Sequence, residues 1–245
     1  GSERFALKNF SLTIPAGKII ALVGENGMGK TTLMKLLCRF YDPIEGRVLW
    51  DNMDLRELPI HTLQREISML FQEPYHYPET ASHNIAVGDL VANPTLSDIE
   101  TAAKIAAADN VIQKLPQRYE TILGKWFGGE ELSVGQWQRI SLARAFLRHG
   151  SLIILDEPTS AMDAWAEMDW LSRVRQIAEG RTLIMITHRF TTAMQADYIY
   201  VIHEHKIIEE GTHESLLAQG KRYAQSWHEQ MRTDMKDNDT AVNKV

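Results

Sequence analysis

One stretch near the N-terminus decides the fold: Gly24-Glu25-Asn26-Gly27-Met28-Gly29-Lys30-Thr31. It fits the pattern G-x-x-x-x-G-K-[ST], which joins a strand to a helix in phosphate-binding proteins. Residues 18–23 before it form a short apolar run rich in isoleucine and valine, typical of a strand covered on both faces of a parallel sheet. Residues 32–40 after it carry apolar side chains at helical spacing. We therefore predict a strand, a glycine-rich loop and a helix in that order.

The loop itself has the properties of a phosphate-binding site. Without Cβ atoms at Gly24, Gly27 and Gly29, the backbone can wrap around phosphates and point its N–H groups inward. Lys30 is expected to contact the β- and γ-phosphates of a nucleotide, and the Thr31 hydroxyl to bind Mg²⁺. The alternative is a glycine-rich turn that binds nothing, and the flanking strand and helix argue against it.

Outward from this loop, short apolar strands alternate with helices, which is the pattern of an α/β domain. Strands are predicted at 6–14, 48–50, 67–71, 152–155 and 182–186, a hairpin at 198–203 and 206–209, and helices at 164–178 and 213–232. We predict an α/β fold: a P-loop NTPase core with a mostly parallel sheet, an antiparallel β part near the N-terminus and an inserted helical lobe. The domain would span residues 1–232, with the core at 1–74 and 148–232, the lobe at about 75–147, and a polar, disordered tail at 233–245.

The composition argues against several function classes. The 26 Lys and Arg residues against 32 Asp and Glu residues give a net charge of −6, which argues against a broad nucleic-acid-binding surface. The single cysteine, Cys38, excludes an internal disulfide framework and a cysteine-cluster metal site. The apolar runs fall well short of the roughly 20 residues that span a bilayer. We therefore expect a soluble piece with no nucleic-acid partner.

Two acidic residues follow the apolar run 152–155. Asp156 comes at the carboxyl end of this predicted strand, where α/β proteins bind ligands. Beside a phosphate-binding loop its expected role is to hold Mg²⁺, directly or through water, although an aspartate can also end a strand without any function. Glu157 follows at once, and two adjacent carboxylates repel each other unless a cation or a shared proton offsets them. Glu157 is therefore a candidate general base for an attacking water.

Together, these motifs resemble those of the nucleotide-binding domain of an ABC transporter, in the family's order and across nearly the whole chain. Residues 24–32 resemble the Walker A loop, which implies ATP contacts from Gly24, Glu25, Asn26, Gly27, Met28, Gly29, Lys30, Thr31 and Thr32. Gln72 resembles the Q-loop glutamine, Asp156-Glu157 the Walker B pair, Ser160-Ala161-Met162-Asp163 the D-loop, and His188 the switch histidine. Leu132-Ser133-Val134-Gly135-Gln136 resembles the ABC signature, which makes the assignment specific to this class.

The resemblance implies an ATPase that uses ATP and Mg²⁺. Thr31, Gln72 and Asp156 would bind the metal, and Glu157, His188 and Gln72 would be catalytic. In the family, the signature contacts ATP held by a second cassette, so a homodimer or heterodimer around two ATP molecules is expected.

The end of the chain resembles cassettes of ABC exporters that follow their membrane domain in one polypeptide. The resemblance thus implies a transmembrane domain in the same parent chain, and a place at the cytoplasmic face of the cell membrane. Gln72 and the lobe at about 75–131 are where we expect the docking surface.

Three features depart from the family pattern. Val134 replaces a glycine of the usual signature, which predicts a weakened or re-tuned but active site. The aromatic residue that stacks on adenine in the family has no counterpart here and would lie upstream of Gly1. The segment 124–131, which contains Trp126 and Phe127, predicts coupling contacts peculiar to one branch of the family.

Alternatives stay open at this point. From the residues alone, Ser133 could be an ordinary helix N-cap and His188 an ordinary core or surface histidine. At the level of function, the rivals are a soluble ABC ATPase that acts on ribosomes or in DNA repair, and an inactive regulatory cassette. Lys30, Glu157 and His188 together argue against an inactive cassette.

Overall fold

A six-stranded sheet carries the architecture. The computed structural model describes residues 5–125, 128–162, 164–178 and 180–242, with the side chains of residue 164 and of 233–242 left out. The strands of the sheet are β1 (Ile19–Gly24), β4 (Ile67–Leu70), β5 (Leu152–Asp156), β6 (Thr182–Thr187), β7 (Tyr198–His203) and β8 (Lys206–Gly211). Their spatial order is β4-β5-β6-β1-β7-β8, and every neighbouring pair is parallel except the hairpin β7–β8. A short antiparallel pair, β2 (Leu49–Trp50) and β3 (Met53–Asp54), lies apart from this sheet.

Helices cover the sheet and fill the segment between β4 and β5. They are α1 (Lys30–Leu37), α2 (Ile60–Arg65), α3 (Ala81–Ala86), α4 (Leu96–Ile105), α5 (Asp109–Ile112), α6 (Val134–Leu147), α7 (Ala164–Ile177), α8 (Phe190–Ala193), α9 (His213–Gln219) and α10 (Arg222–Val242), with 3₁₀ turns at Leu55–Glu57, Leu90–Ala92 and Arg118–Glu120. Among the helices of the described residues, none combines the length and the apolar character that crossing a membrane requires.

The core lies on both faces of the sheet. Along β1, Ile19, Ala21 and Val23 pack on one side, in a cluster with buried side chains of α6 and α7. Ile20 and Leu22 point to the other side, in a cluster with Leu33 and Met34 of α1. Successive side chains of a strand alternate between the two faces, so a strand covered on both sides must be apolar throughout. This explains the unbroken apolar run before the glycine-rich loop.

The predicted α/β class is confirmed, with a mostly parallel sheet, a separate antiparallel pair and a helical segment between β4 and β5. The helix predicted at 213–232 is two helices. Gly220 separates them, because it ends α9 in the left-handed conformation with φ of 64°. The backbone of α10 continues beyond residue 232 to Val242. The domain limits proposed from the sequence stay predictions.

The strand predicted at 6–14 is wrong. This segment runs as bends and irregular backbone, and no strand of the described part of the chain pairs with it. Its apolar side chains Leu7, Phe10, Leu12 and Ile14 pack against the core, but its hydrogen bonds are scattered: the Lys8 amide donates to the His205 carbonyl at 3.5 Å, and the Tyr200 hydroxyl donates to the Thr13 carbonyl at 2.6 Å. A partly alternating pattern predicts an extended chain, but a strand also needs a neighbour that supplies a hydrogen-bond ladder.

Candidate nucleotide-binding site

The sheet brings the predicted site residues to one edge. In the order β4-β5-β6-β1, the strands end next to Gln72, Asp156, His188 and the glycine-rich loop respectively. Because β4, β5, β6 and β1 are parallel, their carboxyl ends meet at the same edge, where α/β proteins bind ligands. Four motifs that lie far apart in sequence therefore lie at one edge of the sheet.

The glycine-rich loop has the conformation that its glycines allow. Gly27 and Gly29 have φ of 81° and 93°, in the left-handed region that favours glycine. A Cβ atom on Gly24 would collide with the carbonyl oxygen of Ile202 on β7. The other predicted ATP-binding residues surround these glycines: Glu25, Asn26 and Thr31 are exposed, Met28 and Thr32 are half-buried, and Lys30 is buried.

Lys30 is held inside the loop that it follows. Its Nζ atom donates to the carbonyl oxygens of Gly24 and Glu25, the second at 2.8 Å. Burial lowers the pKa of Lys30, while the negative charges of Glu157, Asp156 and Glu25 raise it. The ammonium group is therefore a cation placed among carbonyls and carboxylates, within reach of a phosphate that enters the loop.

The two carboxylates after β5 are almost fully buried, with Asp156 and Glu157 each 4% exposed. Burial, together with the charge of Glu157, raises the pKa of Asp156 to about 6, although Lys30 and a hydrogen bond from the Thr31 side chain act against this rise. Buried adjacent carboxylates with a hydroxyl beside them fit a hard divalent cation, which takes oxygen ligands. Within the described residues no group of three or more His, Cys, Asp or Glu side chains could hold a metal. The Asp156 carboxylate and the Thr31 hydroxyl fit Mg²⁺, which is usually bound by one or two protein oxygens together with water and substrate phosphates.

Glu157 and His188 form a direct pair. The Nδ1 atom of His188 lies 2.8 Å from Oε1 of Glu157, and this hydrogen bond raises the pKa of His188. Glu157 has φ of 51°, an unusual value for a residue with a side chain, and its amide donates to the Ile186 carbonyl at 2.9 Å. Backbone strain of this kind concentrates at functional sites. The His188 side chain is 52% exposed, so it forms the open side of an otherwise buried carboxylate site.

The signature begins helix α6. Ser133 is the N-cap: its Oγ accepts from the Gln136 amide at 3.3 Å, and its own amide donates to Gln136 Oε1 at 2.8 Å. The N-cap role that the sequence left open is therefore present. Leu132 is buried, whereas the side chain of Val134 is 72% exposed. Gly135 lies against the segment after β5, since a Cβ atom there would come within 2.6 Å of the Ala161 carbonyl oxygen.

Gln72 and Asp163 are less closely tied to this arrangement. Gln72 follows β4 and is exposed. Asp163 lies outside the described residues, as do Trp126 and Phe127 of the predicted coupling segment. The roles of both site residues stay predictions.

Sequence reasoning missed Gln138, which ties the signature helix to the Walker B region. Its Nε2 donates to the Glu157 carbonyl at 3.0 Å and to Ser160 Oγ at 3.3 Å, and its Oε1 accepts from the Ala161 amide at 3.2 Å. The signal in the sequence is weak: Gln138 is one polar residue in the stretch that follows the signature, and only its burial in the fold shows that its amide needs partners.

Sequence reasoning also missed Glu167 on α7. Its carboxylate accepts from Arg189 at 2.6 Å, from Thr159 at 3.0 Å and from Thr192 at 3.1 Å. One carboxylate therefore connects the segment after Glu157 with the residues that follow His188. No pattern in the sequence pointed to it, because its partners come from two distant segments, Thr159 after β5 and Arg189 and Thr192 at α8.

The comparisons with known proteins decide between the classes of P-loop protein. The sequence profile of the ABC transporter family matches residues 7–160. The chain belongs to the ABC transporter family. Among solved structures, it is similar to a bacterial Atm1-family ABC exporter with ATP bound, with a TM-score of 0.86 and 36% identity over 94% of this chain and 40% of that one.

Curated relatives point the same way. The chain is 40% identical to ABC transporter B family member 24, mitochondrial, of Arabidopsis thaliana, over 93% of this chain and 33% of that protein. It is 42% identical to the ATP-dependent lipid A-core flippase of Salmonella paratyphi A, over 92% of this chain and 38% of that protein. The chain thus spans about a third of the length of these relatives. The predicted resemblance to the nucleotide-binding domain of ABC exporters is confirmed, and nothing in these relatives supports a ribosome- or DNA-repair-associated protein.

Proposed function

We propose that this chain binds ATP with Mg²⁺, hydrolyses it, and drives export through an attached membrane domain. The observation that carries the proposal is the buried Asp156–Glu157 pair with His188 bonded to Glu157, at the sheet edge where Lys30 and its loop also lie. A binding module would need the loop and the lysine. It would have no need of a second buried carboxylate paired to a histidine, so that pair favours hydrolysis.

In the proposed reaction, the residues divide the work by position. Lys30 and the amides of the loop bind the phosphates, and Thr31, Asp156 and Gln72 hold Mg²⁺, which neutralises phosphate charge when bound. Glu157 accepts a proton from the attacking water as the bond between the β-γ bridging oxygen and the γ-phosphorus breaks, leaving ADP and phosphate. Nδ1 of His188 is engaged by Glu157, which leaves Nε2 to face the γ-phosphate.

We infer that a second cassette completes the site. Ser133 and Val134 are exposed at the start of α6, and the positive end of a helix favours a phosphate contact. In the proposed dimer the signature of one copy covers the ATP held by the other. The partner is a second copy or a different cassette with the same motifs.

The membrane domain is proposed to dock near Gln72. A cavity of about 270 Å³ lies beside this segment, lined in part by Phe40, Phe71, Gly88 and Arg144. Phe40 and Phe71 are both exposed and stack with ring centroids 6.5 Å apart. An exposed aromatic pair that lines a cavity is a typical binding feature for an apolar segment. The cassette would then sit at the cytoplasmic face of the membrane.

Steady-state ATP turnover tests the proposed activity. The wild-type chain should require Mg²⁺, and Glu157→Gln should lower kcat by at least about a hundredfold, the contribution of a general base. The matched control is Glu100→Gln, on the exposed face of α4, where the partner Lys104 lies 4.0 Å away. Equal turnover in Glu157→Gln and the wild type would refute hydrolysis at this site.

A further inference from the structure

The loop that carries His188 is held by an element from the far end of the chain. Helix α8 begins at Phe190, two residues after His188, and its N-cap residue Arg189 provides no side-chain cap. The first amide of a helix has no partner within the helix. Here the Phe190 amide donates to Oε1 of Gln230 on α10 at 2.7 Å, across 40 residues of sequence.

Helix α10 is itself anchored, so Gln230 is aimed at a fixed point. Tyr223, Trp227 and Gln230 lie at i, i+4 and i+7, which places them on one face of the helix. Tyr223 is fully buried, its hydroxyl lies 2.8 Å from His213 Nδ1, and its amide donates to the buried carboxylate of Glu209 at 3.3 Å. The Trp227 ring packs against the same histidine, with centroids 4.7 Å apart.

The same face of α10 also contacts the side chain of Phe190. The rings of Phe190 and Tyr223 meet edge to face, with centroids 5.2 Å apart. Phe190 is therefore fixed twice, through its amide by Gln230 and through its ring by Tyr223. On its N-terminal side, His188 follows Thr187, the last residue of β6, so the sheet holds the backbone there. On its C-terminal side, the backbone depends on what holds the next residues, which are Arg189, paired with Glu167, and Phe190, bonded to Gln230.

We propose that Gln230 is a positioning residue for ATP hydrolysis: by accepting the Phe190 amide, it fixes the backbone that presents His188 to Glu157 and the γ-phosphate. The proposal rests on the proposed function, because it assigns Gln230 an effect on that reaction. Gln230 touches no reacting group. Its loss should leave ATP affinity intact and slow the chemical step.

The test compares Gln230→Met, which keeps the length and removes the acceptor, with Gln230→Glu, which restores an acceptor. We expect Gln230→Met to lower kcat by about three- to tenfold, the range that one net hydrogen bond supports, with the KM for ATP changed by less than about twofold. Gln230→Glu should recover most of the loss. Gln225→Met is the control, because Gln225 is exposed on the same helix.

A second readout does not depend on turnover. Hydrogen exchange of the Phe190 amide, measured by NMR without nucleotide, should be about tenfold faster in Gln230→Met than in the wild type, and close to wild type in Gln230→Glu. An unchanged kcat in Gln230→Met while the wild type is active would overturn the proposal, as would an equal loss in Gln225→Met or no recovery in Gln230→Glu. A Phe190 amide that stays protected in Gln230→Met also overturns the proposal, whether or not the chain hydrolyses ATP. The absence of turnover in the wild type would refute only the proposed function.

Discussion

Replacing Gln138 by methionine should destabilise the protein and disturb the site at the same time. Gln138 is 6% exposed and makes three hydrogen bonds to the segment that follows β5. Methionine fills a similar volume but neither donates nor accepts in the same way. The substitution therefore leaves the Glu157 carbonyl and the Ala161 amide without this partner, while the Ser160 hydroxyl can turn toward water.

The magnitude follows from the burial of those two groups. A buried donor or acceptor that loses its partner costs about 1–3 kcal/mol. The Glu157 carbonyl is buried but still accepts from the Ser160 amide at 3.2 Å, and Ala161 is half-buried, so both costs are near the bottom of this range. The expected loss in the free energy of unfolding is about 2 kcal/mol. ATP turnover should fall as well, because the same bonds hold the backbone of Glu157.

Urea unfolding measures the change in the free energy of unfolding. If this free energy depends on urea concentration with the same slope in the variant and the wild type, their unfolded states are comparable. The control is Gln113→Met, whose amide makes one exposed bond to Asp109 at 3.1 Å and should cost less than about 0.5 kcal/mol. A loss below about 1 kcal/mol in Gln138→Met, or one no larger than in the control, would refute the view that Gln138 ties the signature helix to the Walker B segment.

Three further predictions concern the signature and its surroundings. Val134→Gly should raise ATP turnover above an already measurable wild-type rate, because it removes an exposed branched side chain beside the proposed phosphate contact; no change would show that the side chain is clear of the nucleotide. Gly135→Ala should lower both turnover and thermal stability although alanine favours helix, because its Cβ would come within 2.6 Å of the Ala161 carbonyl oxygen; a rise in melting temperature would contradict this close approach. His76 is exposed, but its ring stacks on Trp137 with centroids 4.1 Å apart, and this partial loss of water, together with the charge of Arg144, lowers its pKa. The folded state therefore binds fewer protons than the unfolded state near pH 6, and stability falls slightly as the pH drops from about 7. His76→Phe keeps the stack and should lose less unfolding free energy than the wild type between pH 7.5 and 5.5; an equal loss in both proteins would contradict the shift.

The sequence was sufficient where local patterns and burial agree. The apolar run before Gly24 predicted a strand covered on both faces, and the run at 182–186 predicted a second one, which pairs with the first in the structure. Both predictions were possible because strands of a covered parallel sheet are apolar on both faces. The class of the fold and the shared sheet edge follow from this order of strands and helices. The glycine-rich loop also predicted the position of the site, because its glycines are spaced so that the backbone can wrap around phosphates.

The sequence failed where structure depends on a distant partner. The segment 6–14 has a pattern compatible with a strand, but the described chain gives it no neighbour to pair with. Gln138 and Glu167 were missed, and Gln230 was noted only as part of the exporter-like end of the chain, for the same reason. Each bonds to residues far along the chain, 19 positions or more away in the case of Gln138 and 40 for Gln230. A single polar residue in a helical pattern looks the same whether it faces water or holds a loop.

The most direct test measures the molar mass of the Glu157→Gln protein by light scattering, with and without Mg-ATP. The number of nucleotides bound per chain is determined on the same samples. Blocking the proposed base should trap ATP between two cassettes. The account predicts a monomer without nucleotide and a dimer with one ATP per chain when Mg-ATP is added. A chain that binds Mg-ATP with high occupancy and stays monomeric at every concentration measured would contradict a site completed by the signature of a second copy.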